Sequence, residues 1–187
     1  ISCIAALNDR RDVHGIFVQL PLPPQLDESA VLEAIHPAKD VDGVHPLSVG
    51  RSWVGLPSFV PATPAGVVEM LNRYGYGNMA GRHVVIVNVD NLVGKPLAYL
   101  LCRHDVGATV TLCHPDTADL VHYTRQADIL VVSVNRPAFI TADMVKKGVV
   151  ALDFGSNYVD DPSVERGCRV TGDIDFDAVR QKAEAIT

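Results

Sequence analysis

From residue 82 onward the chain alternates between short apolar runs and stretches with helical spacing. The apolar runs fall at 83–88, 109–113, 129–134 and 149–154, and they are rich in β-branched residues. Helical spacing fills 94–103 and 117–126, with a shorter stretch near 141–146. Strands that are apolar without interruption, and separated by helices, predict a parallel sheet covered on both faces. Crossovers in such a sheet are right-handed. A last short strand at 169–171 precedes a helix over 176–185. Upstream the pattern is less regular. The run VHGIFVQL at 13–20 predicts a buried strand that Pro21 and Pro23 end. Asp27 predicts the cap of a helix over 28–35, with Val31, Leu32 and Ile35 on one face. Residues 36–63 are rich in Gly and Pro and read as a long loop. Thr63 then caps a helix that has Pro64 at its first position and runs to about 74.

The expected fold class is α/β: a Rossmann-like, doubly wound parallel-sheet domain over 61–187, preceded by part of a second α/β domain over 1–60. The chain has 187 residues, is 48% hydrophobic and 20% charged, and carries a net charge of −6. That acidity argues against a general nucleic-acid footprint. No apolar run approaches the roughly 20 residues that a membrane helix needs. Cys3, Cys102, Cys113 and Cys168 are scattered, with no C-x-x-C pair, and read as reduced thiols in a cytoplasmic setting. No metal site is expected. The chain starts at Ile1 rather than Met, and it reads as a piece of a longer protein. An organellar address therefore stays open.

In parallel α/β sheets ligands bind at the carboxyl ends of the strands. The segments at those ends are 88–94, 114–117, 135–137 and 155–157, all polar or glycine-containing. The run VVIVNVDNLVGKP at 84–96 reads as the first strand, turn and helix of a nucleotide-binding domain. The helix N-terminus there offers unpaired N–H groups to a diphosphate. Of the glycines usual in such a turn only Gly94 is present. Asp116 stands about 22 residues after Gly94, where an acid hydrogen-bonds the ribose hydroxyls of a dinucleotide, or caps the helix that follows. In the first domain Gln19 ends the buried run. Asp40 and Asp42 lie in the loop KDVDG, where two carboxylates alone make a poor calcium or magnesium signature; they read as surface caps or, for Asp42, as an acceptor for two parallel N–H donors.

Several segments together resemble one family. They are GIFVQLPLP at 15–23, KDVDGVHP at 39–46, PATPAG at 61–66, VGKP at 93–96, QADI at 126–129, DFGSN at 153–157 and GDIDF at 172–176. The family is that of the bifunctional methylenetetrahydrofolate dehydrogenase/methenyltetrahydrofolate cyclohydrolases, and the likeness covers nearly the whole chain in order. It implies a two-domain α/β enzyme of one-carbon metabolism, usually a homodimer. Such an enzyme oxidises 5,10-methylenetetrahydrofolate to the methenyl form with NADP or NAD, then hydrolyses that to 10-formyltetrahydrofolate. On this likeness Gln19 matches the glutamine that assists a catalytic lysine, and Asp42 the aspartate that grips the pterin ring. Val18, Gln19 and Leu20 line the folate pocket. The cofactor would meet Asn88, Val89, Asp90, Gly94, Pro115, Asp116 and Ser156.

Two departures from the family pattern stand out. The lysine, and the tyrosine that stacks on the substrate, are expected upstream of Ile1, so these 187 residues alone are expected to be inactive as a cyclohydrolase. The family usually reads Gly-Arg-Ser where this chain has Asn88-Val89-Asp90, and a serine where it has Pro115. Val89 and Pro115 offer nothing to the 2′-phosphate of NADP, and Asp90 repels it. Losing a charge-assisted phosphate contact costs about 2 kcal/mol or more, at least tenfold in affinity. The expectation is weakened NADP binding or a shift to NAD. The alternative is a pseudoenzyme, or a cyclohydrolase-only member. A dehydrogenase for another substrate would leave QLPLPP and KDVDG unexplained.

Overall fold

The computed structural model describes residues 1–187, which divide into two compact units, Ile1–Gly66 and Val67–Thr187. In the second unit four of the apolar runs form strands: β1 (His83–Val87), β2 (Thr109–Cys113), β3 (Ile129–Val132) and β4 (Val150–Asp153). They join a fifth strand, β7 (Ala185–Ile186), in one parallel sheet of order β2-β1-β3-β4-β7. Because side chains alternate across a strand, each run feeds two cores. Val85, Val87, Leu130, Val132 and Ala151 face one side, with Leu120 and Val179. Val84, Ile86, Ile129, Val131 and Leu152 face the other, with Leu97 and Leu101. The helices are α5 (Gly94–Leu101), α6 (Leu120–Thr124) and α7 (Phe176–Val179). Three differences from the pattern reading concern ends. The helix expected over 176–185 stops at Val179, and the last residues pair with β4 instead. Helix α6 begins three residues late, because Asp119, in left-handed backbone (φ 51°), accepts the His122 N–H. Only a 3₁₀ turn, Ala142–Met144, forms near 141–146. The strand at 169–171 is β6 (Cys168–Thr171), and it pairs antiparallel with β5 (Asn157–Asp160) outside the main sheet.

The first unit holds α1 (Ser2–Asp9), α2 (Glu28–Glu33) and α3 (Pro46–Trp53), and α4 (Ala62–Arg73) begins in it. Its apolar core is small, built on Ile4, Ile16 and Ile35. The expected strand over 13–20 is a single parallel bridge, Ile16 to Asp40, with Phe17 exposed. The loop expected over 36–63 contains α3 and the 3₁₀ turn Pro37–Lys39, each opened by a His-Pro pair. His36 and His45 accept the N–H two residues on, and proline takes the first helical position. Asp27 caps α2 as expected, accepting the Ala30 N–H.

Candidate functional site

The first unit brings two of the singled-out segments side by side. The Ile16–Asp40 bridge runs parallel, so the chain toward Val18, Gln19 and Leu20 travels alongside the chain toward Asp42. A side chain at Gly15 would overlap the Val41 side chain, so one of the two would have to shift. Three neighbours fix the acidic loop. Lys39 Nζ donates to the carbonyls of Leu7, Asn8 and Arg10 at 2.6–2.9 Å, closing the end of α1. Asp40, fully buried, accepts the N–H groups of Val44 and His45. Gly43, at φ +67°, lies against the Phe59 carbonyl where no side chain fits.

Asp42 is half-buried and accepts the N–H of Ala62, the first residue of α4. This corrects the expected helix start, since Thr63 lies inside α4 and Asp42 caps it across sequence. Burial pushes the Asp42 carboxyl above its usual range. The Ala62 hydrogen bond opposes that rise, and nearby Asp40 adds to it. Gln19 is exposed, its amide donating to the Leu20 carbonyl at 3.1 Å, while Val18 and Leu20 are half-buried. A hollow of about 710 Å³ in this unit is lined by residues including His36, Arg51 and Phe59, and by neither Gln19 nor Asp42.

In the second unit the sheet order sets the crevice. From β1 the chain passes through α5 to β2 on one side, then through α6 to β3 on the other, so the strand order reverses between β1 and β3. The turn after β1 sits there. Asn88 is 7% exposed and uses its whole amide. Oδ1 accepts the N–H groups of Asp90 and Gly94, and Nδ2 donates to the Asp90 carboxylate and, across the crevice, to the Ser133 carbonyl at 2.7 Å. Asp90 Oδ1 accepts the N–H groups of Leu92 and Val93. The donors at the start of α5 are therefore held by the chain's own side chains. Gly94 packs so close to the Asn88 carbonyl that a Cβ would collide with it. Val89 and Pro115 are half-buried, and Ser156 is exposed beyond β4.

Asp116 lies past the end of β2, its side chain 67% exposed. It does not cap α6, since Asp119 does. The Arg136 guanidinium reaches Asp116 Oδ1 with both terminal nitrogens at 3.3 Å. The Asp116 N–H donates to His114 Nδ1. An exposed carboxylate here can accept two neighbouring hydroxyls, as a ribose diol offers. Around this corner Val89 is apolar, Pro115 has no N–H, and Asp116 and Arg136 bring one charge of each sign.

Asp173 lies in the segment GDIDF that the family likeness includes, but no role was read for it. It is fully buried and accepts from the N–H groups of Val134, Asn135 and Arg136 and from Asn157 Nδ2. It thus shapes the loop after β3. Asp153 in turn accepts the N–H groups of Gly155, Asp173 and Ile174. Side chains at Gly155 and Gly172 would overlap these two carboxylates. Arg136 was also missed, although its segment was marked as a strand end. Only the meeting of β2 and β3 around β1 reveals its partner.

The tetrahydrofolate dehydrogenase/cyclohydrolase NAD(P)-binding domain model matches residues 61–187, and the catalytic-domain model of the same family matches 1–42. A curated relative, bifunctional protein FolD 1 of Myxococcus xanthus, is 56% identical over 187 residues, which is all of this chain and 64% of that protein. The bifunctional FolD of Campylobacter jejuni superposes with a TM-score of 0.89 at 42% identity, over all of this chain and 63% of its own. The Trypanosoma brucei FolD, solved with NADP and an inhibitor, gives 0.90 at 36% identity over the same shares. The chain spans about 64% of the length of the curated relatives it matches. No helix is long and apolar enough to cross a membrane. With these matches, the chain belongs to the tetrahydrofolate dehydrogenase/cyclohydrolase family.

Proposed function

We propose that the protein carrying this chain oxidises 5,10-methylenetetrahydrofolate and hydrolyses the methenyl product, with NAD preferred over NADP. A bound nicotinamide cofactor supplies the hydride acceptor. The chain's own residues bind and orient. Asp42 presents a carboxylate to the paired N–H donors of the pterin, and the half-buried Val18 and Leu20 give that ring apolar contact. Gln19, exposed on the adjoining segment, holds the lysine that the family likeness places upstream of Ile1. Asp116 accepts the adenosine ribose hydroxyls. Association as a homodimer follows from the same likeness, and light scattering on the purified protein tests it.

The observation that carries the cofactor preference is the exposed Asp116 carboxylate at the end of β2, with no cation at positions 89 or 115. Titrating the protein with NADH and NADPH, read by nucleotide fluorescence, tests it. NADH should bind at least tenfold tighter, and Asp116→Ser should weaken it. Tighter binding of NADPH by the unaltered protein would overturn the preference.

A further inference from the structure

The strands that carry Asp116 and Arg136 are not neighbours. Strand β1 lies between β2 and β3. Adjacent strands are about 4.8 Å apart, so the two backbones are separated by roughly twice that. The Asp116–Arg136 pair therefore passes over the mouth of β1, where the turn at Asn88–Gly94 begins. The root of Arg136 is fixed, because its N–H donates to the buried Asp173 carboxylate at 2.8 Å. Its guanidinium lies 5.4 Å from the centre of the Phe139 ring. The charged end is half-exposed. It meets Asp116 through a single oxygen, at 3.3 Å from each nitrogen, rather than through a two-oxygen fork. An exposed pair of this kind is weak and exchanges its partner easily. His114 Nδ1 accepts the Asp116 N–H and lies 3.5 Å from Asp116 Oδ2, the oxygen that Arg136 leaves free.

We propose that Arg136 is a specificity-determining residue for the nucleotide, acting as one half of a charge couple with Asp116. While Asp116 is ionised, Arg136 is engaged by it, and the corner favours a ribose bearing a free 2′-hydroxyl. Once the Asp116 charge is removed, the same guanidinium captures a 2′-phosphate, for which its planar fork is suited. The cation that the turn lacks at position 89 is thus supplied from β3. This inference rests on the ribose role proposed for Asp116.

Calorimetric titration of the 187-residue chain with 5′-AMP and with 2′,5′-ADP separates the two readings. The unaltered chain should bind 5′-AMP at least as tightly as 2′,5′-ADP. Asp116→Asn should raise 2′,5′-ADP affinity at least tenfold, and the gain should shrink as salt is added. Adding Arg136→Gln to that variant should abolish the gain. A gain that is absent in both Asp116→Asn and Asp116→Ser, or that survives Arg136→Gln, overturns the role of Arg136. If the gain appears but Asp116→Asn leaves 5′-AMP affinity unchanged, the ribose role of Asp116 falls and that of Arg136 stands.

Discussion

At Asp173 one buried carboxylate organises three successive backbone amides after β3 and the Asn157 side chain. Asp173→Asn would turn one acceptor oxygen into a donor facing donors, leaving buried N–H groups unpaired. Chemical denaturation should show a loss of about 3 kcal/mol or more, with the Arg136 loop loosened first. Asp90 makes a different trade. Its carboxylate satisfies Leu92 and Val93 at the start of α5, in the place an anionic ligand would take. Asp90→Ala should cost about 1 kcal/mol of stability, as lost caps do, yet raise the affinity for ADP by freeing two donors and removing a like charge. A fall in ADP affinity, measured by calorimetry, would show that the turn needs its own carboxylate. Asp42 reports through pH. Burial raises its carboxyl in the folded state, so the folded chain holds that proton more tightly than the unfolded one. The stability this contributes is complete below the ordinary aspartate value and is lost as pH rises through the raised one. Asp42→Asn keeps a capping oxygen for Ala62 but removes the ionisation. Denaturant melts from acid to neutral pH should therefore show the variant gaining on the unaltered chain as pH rises. The opposite trend would mean that Asp42 is favoured as an anion.

Among the elements, glycine positions separate packing from propensity. Gly94 opens α5 against the Asn88 carbonyl, so Gly94→Ala should cost about 1–3 kcal/mol by overpacking and weaken nucleotide binding. Gly66 lies within α4 with nothing near its missing side chain, so Gly66→Ala should stabilise by about 0.5–1 kcal/mol. Thermal melts of the two variants should move in opposite directions. The same contrast explains what the sequence made legible. Strands β1, β3 and β4 were readable because each is apolar on both faces, whereas β2, at the sheet edge with two threonines, fully buries only Cys113. Asn88 and Asp116 could be placed just past β1 and β2 because the end of a parallel strand is a fixed place. Helix α3 was hidden because His-Pro, a turn signal by composition, caps helices here through the imidazole nitrogen. The cap of α4 was hidden because the acceptor, Asp42, is twenty residues upstream of Ala62, whose N–H donates to it. The roles of Asp173 and Arg136 were hidden for the same physical reason. Their partners lie far away in sequence, in the loops after β3 and β2, and no local spacing encodes such a contact.

For the whole molecule the two units differ sharply in what they bury. The second holds two apolar layers, one on each face of a five-stranded sheet, drawn from every strand and from α4 and α5. The first buries three large apolar side chains, Ile4, Ile16 and Ile35, and exposes Phe17, Leu47, Trp53, Val54, Leu56 and Phe59. At about 25 cal/mol per Å² of apolar area removed from water, three isoleucines offset little of the ordering entropy of some sixty residues. Polar anchors add to that small cluster: Lys39 on the end of α1, Asn8 on Ala34 and His36, and Asp40 on Val44 and His45. Such anchors restrict shape but contribute only about 1 kcal/mol each in net terms. Residues 61–187 expressed alone should therefore melt in one cooperative transition with its α/β circular-dichroism spectrum intact. Residues 1–60 alone should give no cooperative transition and should bind a hydrophobic dye through their exposed apolar side chains. A sharp melt from 1–60 would place the missing stability in the polar anchors, and Lys39→Met, which removes three of those hydrogen bonds at once, would then abolish that melt.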